Sequence, residues 1–221
     1  MKLAIFDMDG VLADTEPVYE KMYREIYRRF GLELPREERD SFIGRSSSHI
    51  WKFVKEKYSI EASVEELIRM KEAVYEEMLR REDLVPIDGV VSLLDFLITD
   101  GWTLAIASSS KRPVIDYITA AIGVADLFSF ISSGDAVSKG KPDPEIFLKA
   151  SSHFGAEPSG CVVIEDAASG VKGAKAAGMT VFAFRSPNSG EQDLSAADAV
   201  FTDYSQAPAL FMNIQPHGMS S

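Results

Sequence analysis

A single cysteine, Cys161, stands among 221 residues. With no partner in the chain, it excludes an internal disulfide framework and a cysteine zinc site. Its setting, Cys161-Val162-Val163-Ile164, predicts a buried strand thiol rather than a reactive one. Basic residues are also scarce: 23 Lys and Arg against 34 Asp and Glu leave a formal charge of −11. That balance speaks against non-specific binding of nucleic acid or of anionic membrane, and its ordinary consequence is solubility. No apolar run approaches the roughly 20 residues that span a bilayer. The opening Met1-Lys2-Leu3-Ala4-Ile5-Phe6-Asp7 turns acidic before a signal-peptide core could form. A cytoplasmic protein is the expectation. Internal repeats and low-complexity segments are missing as well. What is present is a hydrophobic fraction of 46%, ordinary for a globular chain and enough for a core domain carrying a smaller insertion.

The apolar residues fall into short runs of strand length at 3–6, 103–107, 128–131, 161–164 and 180–184, with a weaker one at 199–201. None alternates with polar residues, which predicts a parallel sheet covered on both faces. Helical stripes lie between them: Val90, Val91, Leu94, Leu97 and Ile98, then Val114, Ile115, Ile118 and Ile122. Asp143 reads as a helix N-cap with Pro144 first in the helix and Ile146, Phe147 and Ala150 facing inward. A last helix runs from about Ala168 to Ala177 and stops at Gly178. Strand and helix in alternation predict a doubly wound α/β sheet.

From about Thr15 to Val85 the strands stop. Val18, Met22, Ile26 and Phe30 mark one helix and Leu67, Met70, Val74 and Met78 another, with Ile50, Trp51 and Val54 between. A helical domain over 15–85, inserted into a core built of 1–14 and 86–221, is predicted. Both hinges carry a proline. The ending from Gln215 is expected to be a disordered tail.

Asp7-Met8-Asp9-Gly10 follows the first strand and so belongs at the carboxyl edge of the sheet, where open α/β sheets bind ligands. Alone, Asp-x-Asp-Gly also fits a tight turn. Three further groups fall on the same edge: Glu165-Asp166 after another buried strand, Ser108 ending the strand at 103–107 with Ser109 beside it, and Lys141 just before a helix start. Carboxylates so close repel one another unless a cation such as Mg2+ neutralises them. The lysine and the amides around Ser109 suit phosphoryl oxygens. One carboxylate can take up a phosphoryl group and a second can move protons. The chemistry is phosphoryl transfer.

Asp7-x-Asp9-Gly10-Val11-Leu12-x-Asp14-Thr15, Ser108, Lys141-Pro142 and Glu165-Asp166 resemble, in order, the four motifs of the haloacid dehalogenase-like phosphohydrolase superfamily. The helical insertion, with Asp-Thr-Glu-Pro at its entrance, is similar to the cap of the subgroup that holds β-phosphoglucomutase and small sugar-phosphate phosphatases. The resemblance implies a Rossmann-like core, with Asp7 as nucleophile and Asp9 as general acid/base. It implies Mg2+ held by Asp7, the backbone carbonyl of Asp9 and Asp166, with Glu165 alongside or through water. Ser108, Ser109 and Lys141 would bind the transferring phosphate, and cap closure would exclude solvent. Dehalogenases and phosphonoacetaldehyde hydrolases of this superfamily lack the second aspartate, present here as Asp9. That sets both apart, although Lys52 and Lys55 flank the region where the latter carry a lysine.

In the mutase, a cap histidine and arginine handle the sugar's other phosphate; the matching positions here are Tyr19 and Ser47. A phosphatase acting on a small phosphorylated sugar or polyol is therefore expected, with the mutase as alternative. Specificity would come from Arg45, Ser46, Ser47, His49 and Lys71 of the cap, although serines there also read as helix caps and Lys71 as one charge on a solvated face. The expected partner is the small substrate alone, on a monomer.

Overall fold

The computed structural model describes residues 1–40, 42, 47–188 and 190–214. Its strands are β1 (Leu3–Phe6), β2 (Thr103–Ser108), β3 (Phe130–Ser133), β4 (Cys161–Glu165), β5 (Thr180–Phe184) and β6 (Ala199–Phe201). Its helices are α1 (Glu16–Arg29), α2 (Arg36–Asp40), α3 (Ser47–Tyr58), α4 (Val64–Leu79), α5 (Val90–Thr99), α6 (Arg112–Ala121), α7 (Glu145–His153), α8 (Ala168–Ala176) and α9 (Ala207–Met212). The chain divides into two compact units, Met1–Asp14 with Leu84–Ser221, and Thr15–Asp83.

In the first unit the six strands form one parallel sheet in the order β3-β2-β1-β4-β5-β6. Helices α7 and α8 press Ile146, Phe147, Ala150, Val171 and Ala174 onto Leu3, Ile5, Ala105, Ala107, Cys161, Val163 and Val181. The alternate residues Ala4, Phe6, Leu104, Ile106, Val162 and Ile164 point to the opposite face and are equally buried. This is why the strands show no polar alternation. Cys161 is buried, and burial pushes its thiol up to about 11.

Several local expectations shift. The third strand starts two residues later than its apolar run and continues through Ser132 and Ser133, which are buried by the sheet and not by their own hydropathy. Pro144 is the N-cap of α7 instead of its first residue, yet the Asp143 carboxylate still accepts the Glu145 N–H at 3.0 Å. On α5, Leu93 is buried while Val91 and Ile98 are 37% and 43% exposed, so the inner stripe is rotated from the one expected.

The second unit is a helical bundle. Val18, Met22 and Ile26 of α1, Ile50, Trp51 and Val54 of α3, and Leu67, Val74, Tyr75 and Leu79 of α4 are among its buried residues, with Phe30, Met70 and Met78 only half-buried. Trp51 lies against the rings of Tyr23 and Tyr27, with centroids 5.8 and 5.9 Å away. A capping box starts α4: Ser63 Oγ accepts the Glu66 N–H, and the Glu66 carboxylate accepts the Ser63 N–H. Among the described residues, no helix is long and apolar enough to cross a membrane. The expected tail at 215–221 lies outside the described residues.

Candidate active site

Three adjacent strands, β2, β1 and β4, end side by side, so the segments leaving them meet at one edge. Asp7 is held there by its own backbone, whose N–H donates to Ile164 O at 3.0 Å. The chain then coils tightly. The N–H groups of Val11, Leu12 and Ala13 all donate to Met8 O, and that of Gly10 donates to Ala13 O at 2.8 Å. Gly10 sits at φ 73°, which a residue with a Cβ adopts only under strain. Met8, Val11, Leu12 and Ala13 are wholly buried, so the coil is anchored by packing while Asp7 and Asp9 stay at the sheet edge.

Lys141, distant in sequence, joins the three strand ends. Its ammonium donates to Asp7 Oδ1 at 2.6 Å, to Glu165 Oε1 at 2.6 Å and to Ala107 O at 3.0 Å. All three of its N–H donors are thereby used. The Phe147 ring lies 5.1 Å from the ammonium and closes off its other side. Glu165 Oε2 accepts the N–H groups of Asp166 and Ala167, each at 2.9 Å. The lysine side chain is 6% exposed and that of Glu165 1%.

Burial dominates the protonation of Asp7. It pushes the carboxyl up to about 7 from an ordinary 3.8, against the pull of Lys141, and the Glu165 and Asp9 carboxylates add to the rise. Burial also works against the Lys141 charge, but the two carboxylates outweigh it and hold this ammonium above the usual lysine range.

Side-chain oxygens of Asp7, Glu165 and Asp166 lie within 4.8 Å of one another. Three carboxylates against one ammonium leave excess negative charge in a buried place, and an all-oxygen donor set suits a hard divalent cation. Each of the three offers one oxygen to such a cation, although Asp7 and Glu165 also accept from Lys141 and Glu165 from two backbone N–H groups as well. The Asp9 side chain stands outside this trio; its Oδ2 accepts from Ser110 Oγ at 3.0 Å. Ser108 is fully buried and its Oγ accepts the Ser110 N–H at 3.1 Å, while Ser109 is exposed at the tip of that turn.

Sequence reasoning missed several contributors. Ser110 has no role in the sequence reading, yet its hydroxyl donates to Asp9. Tyr204 carried no signal: its hydroxyl donates to Val11 O at 2.7 Å, pinning the coil after Asp9, and burial pushes its phenol far up. Gly134 packs against the serine turn, its N–H donating to Ser110 O at 2.9 Å.

In the helical unit, Lys71 donates to Ser47 Oγ at 3.0 Å, and its ammonium stands 5.4 Å from the Tyr19 ring. Tyr19 in turn stacks on Tyr75 with centroids 4.2 Å apart. Of the other expected cap residues, His49 lies in α3, while Arg45 and Ser46 lie outside the described residues.

Residues 4–184 match the profile of the haloacid dehalogenase-like hydrolases. The chain belongs to that family. A phosphorylated carbohydrates phosphatase from Thermotoga maritima is 34% identical over 182 residues, covering 81% of this chain and 82% of its own. A β-phosphoglucomutase from Bacillus subtilis is 33% identical over 188 residues, covering 81% of each chain. In fold, the structure of CbbY from Rhodobacter sphaeroides in complex with phosphate superposes with a TM-score of 0.81 at 20% identity, over 93% of this chain and 96% of that one. As a haloacid dehalogenase-like hydrolase with phosphatases among its relatives, the chain is an enzyme of the phosphoric monoester hydrolase class.

Proposed function

We propose that this hydrolase is a Mg2+-dependent phosphatase of a small phosphorylated sugar or polyol, working through an aspartyl phosphate on Asp7. The observation that carries the reading is the buried chain Asp7–Lys141–Glu165, with Asp166 beside it, where β1, β2 and β4 end. Mg2+ held by Asp7, Asp166 and the Asp9 carbonyl would keep Asp7 ionised and draw charge from the phosphoryl oxygens.

Lys141 has no spare N–H, so it meets an incoming phosphoryl oxygen by exchange. Asp7 is the partner that yields, because two backbone N–H groups pin Glu165 and strand β2 pins the Ala107 carbonyl. The freed Asp7 carboxylate attacks phosphorus in line, its oxygen bonding to phosphorus as the bond to the leaving oxygen breaks. Asp9, oriented by Ser110, gives the leaving oxygen its proton. Asp9 then takes a proton from water as that water attacks phosphorus, breaking the bond to Asp7 and releasing phosphate. Ser108 shapes the turn whose amides, with Ser109, receive the phosphoryl oxygens. In the helical unit, Lys71 and Ser47 select the substrate, and Arg45 belongs with them. A single cysteine fits the cytoplasm, and the acidic composition fits a monomeric state.

A mutase is the second reading, favoured by the Bacillus subtilis relative. It is disfavoured by Tyr19, whose ring is taken up by Tyr75 and Lys71 where the mutase pattern has a histidine. The deciding experiment is phosphate release with Mg2+ across a panel of sugar and polyol phosphates. β-Glucose 1-phosphate with a trace of glucose 1,6-bisphosphate is included, and glucose 6-phosphate is assayed in parallel. Free phosphate that disappears in Asp7→Asn is expected. Glucose 6-phosphate without free phosphate would establish the mutase instead, and substantial turnover by a folded Asp7→Asn protein would remove Asp7 from its role.

A further inference from the structure

Helix α8 carries two glycines, and they meet different surroundings. A Cβ at Gly173 would come 3.2 Å from the Phe147 ring and 3.2 Å from Pro142 O, so its neighbours would have to give by a few tenths of an ångström. A Cβ at Gly170 would lie 1.7 Å from Glu165 Oε1, 2.0 Å from its Cδ and 2.5 Å from its Oε2. The Glu165 carboxylate therefore occupies the space that any other residue at 170 would fill. Glycine inside a helix costs about 0.5–1 kcal/mol relative to alanine, so local helix stability does not account for its presence here.

We propose that Gly170 is a positioning residue for the phosphoryl-transfer site, acting through Glu165 on Lys141; the proposal rests on the phosphatase reading above. In the conformation by which Glu165 reaches Lys141 at 2.6 Å, its carboxylate also accepts the Asp166 and Ala167 N–H groups and lies where a Cβ at 170 would stand. The obstruction at 170 is the end of a side chain and not backbone, so a methyl group there displaces a buried, hydrogen-bonded carboxylate before it displaces the helix. What must move is the carboxylate. Moving it strips Lys141 of one of its three acceptors and leaves the buried ammonium held by Asp7 and Ala107 O alone. The lysine is then drawn toward Asp7, the partner that must release it when phosphate arrives. Glu165 is itself a positioning residue in this scheme, because it touches the lysine and not the reacting atoms.

The test compares four proteins: wild type, Gly170→Ala, Glu165→Ala and the double variant. Each is read by Mg2+-dependent turnover of p-nitrophenyl phosphate at 25 °C and by thermal unfolding in EDTA. Gly170→Ala is expected to fold, to lose about 10²-fold in kcat/KM, the scale of misplacing a site group by roughly 1 Å, and to melt below wild type. In the Glu165→Ala background the same change should leave kcat/KM where it was. It should also raise the melting temperature, because only the helix preference for alanine remains. A fall in melting temperature of equal size in both backgrounds overturns the proposal. So does a folded Gly170→Ala enzyme with wild-type kcat/KM, which is what a merely structural glycine would give. If the wild type releases no phosphate from any ester, the phosphatase reading fails, while the melting comparison still decides whether Gly170 acts through Glu165.

Discussion

The buried Asp7 carboxyl makes the metal-free protein less stable as pH rises, and removing its charge should reverse this. Its pKa in the folded state is about 7 against an ordinary 3.8. Below the lower value Asp7 is protonated in both states and its contribution to stability is complete. Between the two values the unfolded chain gives up its proton while the folded chain keeps it, so stability falls by about 1.4 kcal/mol per pH unit. Over about three units the loss is about 4 kcal/mol, and above pH 7 it is complete. The attraction of Lys141 is already inside that figure, since it works to lower the same pKa. Asp7→Asn has nearly the same shape and no charge at any pH. In EDTA the variant should therefore match the wild type at about pH 4 and exceed it by up to about 4 kcal/mol at about pH 8. For a chain of this size that is roughly 10 °C in melting temperature. Thermal unfolding of both proteins across this range reads it directly, and titrating groups remote from Asp7 cancel in the difference. Added Mg2+ should narrow or invert the gap at about pH 8, because the cation binds the folded wild type more tightly than the variant. A gap that does not widen with pH would refute the burial argument.

Packing and capping each offer a further test. Gly134→Ala would place a Cβ 2.1 Å from Ser109 O, a backbone atom that cannot swing aside; the Ser108–Ser110 turn should shift, with a stability loss of about 1–3 kcal/mol and a fall in kcat/KM, both absent if the turn is not fixed from that side. Ser63→Ala removes the capping box of α4, which should cost about 1 kcal/mol of stability by denaturant unfolding while leaving turnover at 25 °C unchanged.

How far the sequence reaches depends on how local the cause is. The class of sheet was legible because burial on both faces demands unbroken apolar runs, and the runs at 3–6, 161–164 and 180–184 match β1, β4 and β5 to within a residue. Asp7, Asp9 and Glu165-Asp166 were legible because acidic residues directly after such runs must sit at a strand end. The third strand was misplaced because Ser132 and Ser133 are buried by their neighbours in the sheet. The stripe on α5 was rotated because Val91 and Ile98, apolar though they are, fall on the face that stays exposed.

Lys141, Asp7 and Glu165 were each identifiable one at a time as candidates. Which atom donates to which is a matter of three-dimensional placement: the lysine lies 134 residues from one partner and 24 from the other. The same holds for Tyr204, which reaches back to Val11 across 193 residues. Gly170 is a sharper case, since a glycine in a helix carries no chemistry of its own and its meaning comes from the carboxylate folded against it. Periodicity, turn chemistry and charge act over a few residues, so the chain by itself determined its elements and its reactive groups. Only the sheet order, by bringing three strand ends together, decided which of those groups meet.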